Sequence, residues 1–432
     1  MSTAVISLII FGICVILFVW NRIPIAVTAL IGLIAMVLTG AVSFSDGFKN
    51  FGSSTIILIC AMMVVGKATF QTGLAQVVGE KVISSAHGNE RLVVLLATAM
   101  TALASAFLSN IATLAIMISI LTGICSGKTN VKFMNVILPV SMAAVIGGAA
   151  TLIGSTTQLT AQGILEEYTG SAFAFSTFAV PGGIICVILV LYCGFIGYPL
   201  GKKIWGNRAE YNETPVSSSG EATPEPDRKK MKIMAVIFVA TILMFIFCDQ
   251  IKLIIPNMNI AIVSLIGCVL CLLTGCIDRK TAVNSVNWSL AVWFCASLGM
   301  AAGLEKSGGG ALLANWFISL FGENATPFAL YVAFLILIVA LTQFLSNSTV
   351  LAIILPVVFS ITGRLGLNTF SFAVGLTIGG AIAVATPLAN TTIGMSMVAR
   401  YRFSDYLKYA GPFTLLALLV LILLVPVIWP LR

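Results

Sequence analysis

The sequence predicts an all-α polytopic membrane protein of two inverted repeats, with about ten transmembrane helices and two re-entrant hairpins. Composition is the first reason. The 432 residues are 59% hydrophobic and only 9% charged, with mean hydropathy +1.08, whereas a soluble domain carries about 25% charged residues. Repetition is the second. Ser105-Ala106-Phe107-Leu108-Ser109-Asn110 returns as Thr342-Gln343-Phe344-Leu345-Ser346-Asn347, each followed by a short apolar run. Charge placement is the third, and it fixes how the two copies face.

Residues 1–20 are apolar, without a basic start or a small-residue cleavage site before Asn21-Arg22, and read as a retained first span. Further spans fall near 23–42 and 54–73, then a weaker helix near 75–88. Two short arms, about 91–108 and 112–125, flank Ser109-Asn110 and fit an inner hairpin better than two crossings. A long segment at about 133–165 is interrupted at Gly147-Gly148 and again over Thr151 to Gln158, and a span covers about 176–200. Residues 201–232, with three prolines, a Ser-rich run and Arg228-Lys229-Lys230, read as a solvated cytoplasmic linker.

The second repeat, 233–432, follows the order of the first, 1–200. Spans are expected near 233–250, 256–276 and 289–306, and a helix at 310–321. An outer hairpin at about 327–362, a broken span at about 369–398 and a last span at 411–430 complete it. Leu38-Thr39-Gly40 matches Leu273-Thr274-Gly275, and Ile146-Gly147-Gly148-Ala149 matches Ile378-Gly379-Gly380-Ala381. Carried through the break, that alignment sets Gly154, Ser155, Thr156 and Gln158 against Thr386, Pro387, Leu388 and Asn390. Five crossings per half is odd, so the halves insert with opposite orientation. With the N-terminus outside, only Lys49, Lys252, Lys306, Arg364 and Arg432 fall on outer loops. Every other basic residue except Lys67, which sits within a span, falls inside. Both termini are therefore expected outside, and the net charge of +8 reports topology, not nucleic-acid binding.

The polar residues narrow the function. All Asp and Glu residues map to loops or span ends, so no carboxylate relay crosses the membrane. A cation would have to be held by neutral oxygens of Ser, Thr and Asn and by carbonyls of unwound backbone, a hard set suited to Na+. Each hairpin tip offers carbonyls at one helix end and N–H groups at the next helix start, which favours a cation beside an anion. Two cation sites flanking one anion site is the resulting arrangement. A single Ser-Asn pair in such a helix is ordinarily an interhelical hydrogen bond; duplication beside duplicated helix breaks favours a transport site. Lys67 reads as a residue snorkelling to the inner face. The ten cysteines, Cys268 and Cys271 included, read as core packing without metal. An enzyme lacks a nucleophile–base pair, and the one histidine, His87, lies in a polar stretch. A channel lacks a charged ring or filter, and a sensor lacks an attached soluble domain.

Ser109-Asn110-Ile111-Ala112-Thr113 and Ser346-Asn347-Ser348-Thr349 resemble the paired Ser-Asn-Thr signatures of the divalent anion:sodium symporter family of the ion transporter superfamily. Thr386-Pro387, Asn390 and Tyr401 to Lys408 are similar to that family's C-terminal region, and the resemblance spans all but the linker. It implies an elevator-type transporter, a dimer through its scaffold helices, in the bacterial inner membrane. By position it implies a first Na+ site from Ser105, Ser109, Asn110 and backbone near Gly154. A second would use Thr342, Asn347 and carbonyls near Leu345 and Ala385, with substrate against Asn110, Asn347, Ser348 and the Thr386-Pro387 turn. Many members have eleven crossings; the expected count of ten here corresponds to that pattern without an extra N-terminal helix. Ile111 stands where a Thr is usual, Ser348 replaces the second Thr, and Gln158 replaces a common Asn. Ile111 thus marks where the substrate, a di- or tricarboxylate, sulfate or another organic acid, is held differently. Sodium-independent anion exchange is the alternative mode.

Overall fold

The computed structural model describes residues 2–20, 22–126, 131–208, 227–312, 315, 326–388 and 390–432, which form helices without a strand among them. The centre of the expected linker, 209–226, and most of the expected helix at 310–321 lie outside the described residues.

The first half runs α1 (Thr3–Trp20), α2 (Ile25–Leu38), short α3 (Phe44–Phe48), α4 (Ser54–Gln71) and α5 (Leu74–Ser84). Hairpin arms α6 (Glu90–Ser105) and α7 (Asn110–Ser126) meet at a tip of four residues. The interrupted helix is α8 (Phe133–Gly147) and α9 (Thr156–Thr169). α10 (Ala179–Leu191) passes through a π segment, Tyr192–Gly197, into α11 (Tyr198–Trp205). The second half runs α12 (Arg228–Ile246), α13 (Cys248–Ile254), α14 (Ile260–Leu273), α15 (Arg279–Ser285) and α16 (Trp288–Lys306). Arms α17 (Pro327–Leu341) and α18 (Asn347–Arg364), interrupted pieces α19 (Thr369–Ala381) and α20 (Thr391–Met395), and α21 (Phe403–Ile428) follow. Among the described residues, six helical stretches are long and apolar enough to cross a membrane: 44–71, 133–150, 179–205, 288–306, 347–364 and 403–428.

Two helices begin earlier than hydropathy suggests, because ionic groups at their starts are satisfied. Asp227 caps α12, accepting from the N–H groups of Lys229 and Lys230. Asp405 accepts from Arg402 N at 2.8 Å and holds the Arg208 guanidinium through two contacts of 2.6 and 2.7 Å. That pair neutralises a buried carboxylate and lets α21 start at Phe403, about eight residues before the expected span. The π segment has a similar cause. Arg91 Nε donates to the Gly194 carbonyl at 2.8 Å, taking up an acceptor within the irregular turn.

Packing separates the helices into two bundles. In the first, α2 lies on α16 and α4 on α14, with α1 and α12 on the flanks. In the second, α6 and α7 pack on α8, α17 and α18 pack on α19, and α10, α11 and α21 close the rear. Each hairpin's second arm also receives the short half-helix of the other half, α9 on α18 and α20 on α7. Every residue of α8 is buried, and the fit against α6 is close. A Cβ on Gly147 would stand 2.3 Å from the Ala102 carbonyl oxygen. The bundles touch where α9 and α18 meet α16, and at the far end of α9, where Lys49 pairs with Glu167 at 2.9 Å and Thr55 donates to Glu166.

Candidate functional site

The two hairpin tips and the two interrupted helices meet around one cavity of about 960 Å³ between the bundles. Four helix starts open on it. Ser109, Asn110 and Ile111 begin α7; Ser155, Thr156 and Thr157 begin α9; Ser346, Asn347 and Ser348 begin α18; Asn390, Thr391 and Thr392 begin α20. Hydroxyl and amide residues cluster here because each first turn leaves N–H groups without helical partners. Ser155 and Asn390 cap their own helices, accepting from Thr157 N at 3.2 Å and Thr392 N at 3.0 Å. Ser346 makes no such cap bond, so the first N–H groups of α18 face the cavity uncapped by its side chain. The rest of the wall is α4 and the α15–α16 junction, with Met62, Met63, Lys67 and Phe70 from the one and Asn284 and Asn287 from the other.

Behind the first tip lies a set of converging oxygens. Asn110 Oδ1 stands 2.9 Å from Ser105 Oγ and 3.1 Å from the carbonyls of both Ala144 and Gly154. Ser105 Oγ is also 2.6 Å from the Ala144 carbonyl. These are hydrogen-bonding separations, closer than oxygens arranged around a single Na+ would stand. Turned half a revolution, the same amide donates to all three neighbours and closes the group by hydrogen bonds. Gly148 makes room for either arrangement, since a Cβ there would meet the Asn110 amide oxygen at 2.5 Å. Of the residues expected at the first ion site, Ser105, Asn110 and Gly154 come together. Ser109 instead lines the cavity, and Ala144, which no sequence pattern marked, supplies a carbonyl.

The second tip is braced differently. Thr342 is buried and donates back to the carbonyls of Ile338 and Val339 within its own helix. Gln343 ties the tip to the unwound backbone, its amide donating to the Ile382 carbonyl at 3.0 Å and accepting from Ala385 N at 3.0 Å. Asn347 Oδ1 is buried with no hydrogen-bond partner among the described residues. Leu345, two residues before it, is half-buried. Gln158, fully buried one turn into α9, has neither amide atom paired among the described residues and does not line the cavity.

The breaks correspond through different residues from those the sequence alignment pairs. Thr386 donates to the Gln343 carbonyl, and Thr151, not Gly154, makes the equivalent bond to the Ala106 carbonyl of the other tip. Ser155 and Asn390 share the cap position. The flush alignment therefore slips by three residues in the break, because the unwound stretch has no helical repeat to hold its register. Thr386 and Pro387 do not line the cavity. Asn390, Thr391 and Thr392 occupy that wall.

The two tips are also chemically unequal. Ser348 Oγ is 2.9 Å from Thr156 Oγ1, whereas Ile111, the counterpart of Ser348, is 49% exposed into the cavity beside Phe107. Ile111→Thr is expected to shift the relative inhibition of uptake by a panel of carboxylates and sulfate by about 2- to 13-fold, one hydrogen bond's worth. Its Na+ dependence should stay that of the parent. An unchanged inhibition profile would show that Ile111 does not meet the substrate.

A helical bundle of apolar helices whose interrupted segments surround a polar cavity is a membrane transporter, and this chain is an integral membrane protein of that class. It belongs to the citrate transporter family CitMHS, whose model matches residues 15–352, within the ion transporter superfamily. An uncharacterized transporter of Haemophilus influenzae is 26% identical over 87% of this chain and 81% of its own length. The sodium-dependent high-affinity dicarboxylate transporter 3 of Caenorhabditis elegans is 22% identical over 95% of this chain and 81% of its own. The fold matches the Alcanivorax borkumensis YdaH transporter with TM-score 0.67 at 14% identity, covering 96% of this chain and 99% of that one. Neisseria gonorrhoeae MtrF, described among antimetabolite efflux pumps, matches with TM-score 0.60 at 15% identity over 92% and 84%.

Proposed function

We propose that the protein is a secondary active carrier of small di- or trivalent anions, coupled to Na+. One observation carries this reading: helix starts rich in neutral donors surround a cavity with no carboxylate among its described lining residues, while the Ser105, Ala144 and Gly154 oxygens converge on the Asn110 amide behind the first tip. Helix N-termini favour anions, and converging carbonyl, hydroxyl and amide oxygens favour a hard monovalent cation. The sodium dependence and dicarboxylate substrate of the nematode relative are in keeping with it. Ser105, Asn110, Ala144 and Gly154 would hold one Na+, and Asn347 would contribute to a second. The anion would lie among Asn110, Asn347, Ser348 and Thr391, with Ile111 shaping one end.

In this reading the halves are inverted repeats about the linker, both termini lie outside the inner membrane, and the first bundle forms a dimer scaffold. The second bundle moves as an elevator, carrying both tips and the anion between them. Sodium lowers the cost of that movement by neutralising the anion before it crosses. In proteoliposomes, uptake of citrate, succinate or sulfate should rise at least about tenfold under an inward Na+ gradient relative to choline, the scale of coupling free energies. Equal uptake in choline would overturn the coupling.

Sodium-independent anion exchange is the second reading, and a specific observation favours it: the turned Asn110 amide satisfies its three oxygen neighbours without a cation. In that case internal counter-anion, not sodium, sets the rate.

A further inference from the structure

We infer that the Lys49–Glu167 ion pair, with the Thr55–Glu166 hydrogen bond beside it, is a latch between the two bundles. It holds the cavity toward one face of the membrane and has to open before the cavity can reach the other. The inference rests on the movement of the second bundle proposed above. Lys49 follows α3 and Thr55 lies in the first turn of α4, both in the first bundle. Glu166 and Glu167 lie in the last turn of α9, in the second.

Both contacts are held in place by their surroundings. Lys49 Nζ stands 2.9 Å from each oxygen of the Glu167 carboxylate, whose side chain is 5% exposed. Thr55 is buried and its hydroxyl donates to Glu166 at 3.1 Å. Gln162, one turn earlier in α9, fixes Glu166: its amide donates to the carboxylate at 2.6 Å and accepts from Phe173 N at 2.7 Å. A chain of positioned polar groups thus runs from inside the second bundle onto the start of α4. A buried carboxylate stripped of its counter-ion is costly, so the pair favours the position in which it is made. Lys306, at the end of α16, pairs instead with Asp46 at 2.7 Å, a bond within the first bundle.

Placement gives the latch its direction. About 16 Å of helix, at about 1.5 Å per residue, separates Thr156 on the cavity wall from Glu167. Along α4 the cavity begins at Leu58 and runs to Phe70, away from Thr55. Beyond Phe70, Gln71 bonds to Asp278, the cap of α15, and Thr281, Asn284 and Ser285 of that helix line the cavity. Arg279 and Lys280 begin α15, so in the proposed orientation this end is cytoplasmic and Lys49 is outside. The latch shuts the outer face while the cavity lies toward the cytoplasm. The second bundle cannot carry the cavity outward while α9 stays tied to the start of α4.

The test uses Ala115→Cys, on the cavity wall in α7, and its labelling by a membrane-impermeant maleimide in right-side-out and inside-out vesicles. The same chain without that substitution gives the background from the native cysteines. Lys49→Met and Glu167→Gln should each raise labelling from the outer side about 3- to 10-fold and lower it from the cytoplasmic side. Thr55→Val should act in the same direction and less. The Lys49→Met/Glu167→Gln double variant should shift no further than the stronger single one, since both remove one bond. Lys306→Met, which breaks a pair within one bundle, should leave labelling at the parent level. Unchanged labelling in both single variants, an additive double variant, or an equal shift from Lys306→Met would each overturn the latch. Labelling needs no transported anion, so the two readings fail separately. Shifted labelling without uptake of citrate, succinate or sulfate removes the anion reading and leaves the latch. Uptake with unshifted labelling removes the latch alone.

Discussion

Asn110→Ala and Asn347→Ala are each expected to bring uptake to the background of empty liposomes while the protein remains monodisperse in detergent. Asn110 meets Ser105 Oγ, the Ala144 carbonyl and the Gly154 carbonyl from one amide. Losing contacts to a charged ligand, about 1.5–3 kcal/mol each, corresponds to a fall in affinity of about 10- to 150-fold per contact. Asn347 Oδ1 has no protein partner among the described residues, so its removal costs the fold little and the ligand much. That asymmetry makes the pair informative. If Asn347→Ala instead lowers thermal stability without changing uptake, its oxygen serves packing, and the second ion site is lost from the proposal. Normal transport by both variants would end the two-tip arrangement.

Gly148→Ala is expected to abolish sodium-stimulated uptake although it adds one methyl group at a residue that does not itself line the cavity. Its Cβ would stand 2.5 Å from Asn110 Oδ1, 3.1 Å from Nδ2 and 2.9 Å from the Gly154 carbonyl oxygen. The Gly154 carbonyl is backbone and cannot swing away, so the Asn110 amide must leave its three oxygen neighbours. Overpacking of this kind costs about 1–3 kcal/mol, and its larger effect is the displaced ligand. Gly183→Ala is the control, since a Cβ there meets nothing within 4 Å. Thermal shift with and without Na+ checks both. A Gly148→Ala protein that keeps its sodium response would place the ion elsewhere.

Much of this architecture was legible in the sequence. Spans and arms announce themselves through apolar length, and the tips through Ser109-Asn110 and Ser346-Asn347, because a polar pair in an apolar run is costly without a purpose. Helix starts were less legible where a distant residue decides them. α21 begins at Phe403 because Arg208, nearly two hundred residues earlier, neutralises Asp405. The interrupted stretches were least legible. Without a helical period, nothing in the sequence fixes which residue faces the tip, and Thr151 rather than Gly154 proves to be the counterpart of Thr386.

By itself, the sequence determined the class of protein, the polar hairpin tips and the pair of asparagines at them. These follow from local composition and periodicity, which burial in lipid constrains strongly. The tertiary structure alone decided which oxygens converge on Asn110, that Gln343 braces the second tip to Ile382 and Ala385, and that Lys67 shares a cavity with residues of the opposite bundle. Those are contacts between segments far apart in the chain. Carbonyl ligands such as Ala144 leave no trace in side-chain chemistry, so only the fold reveals them.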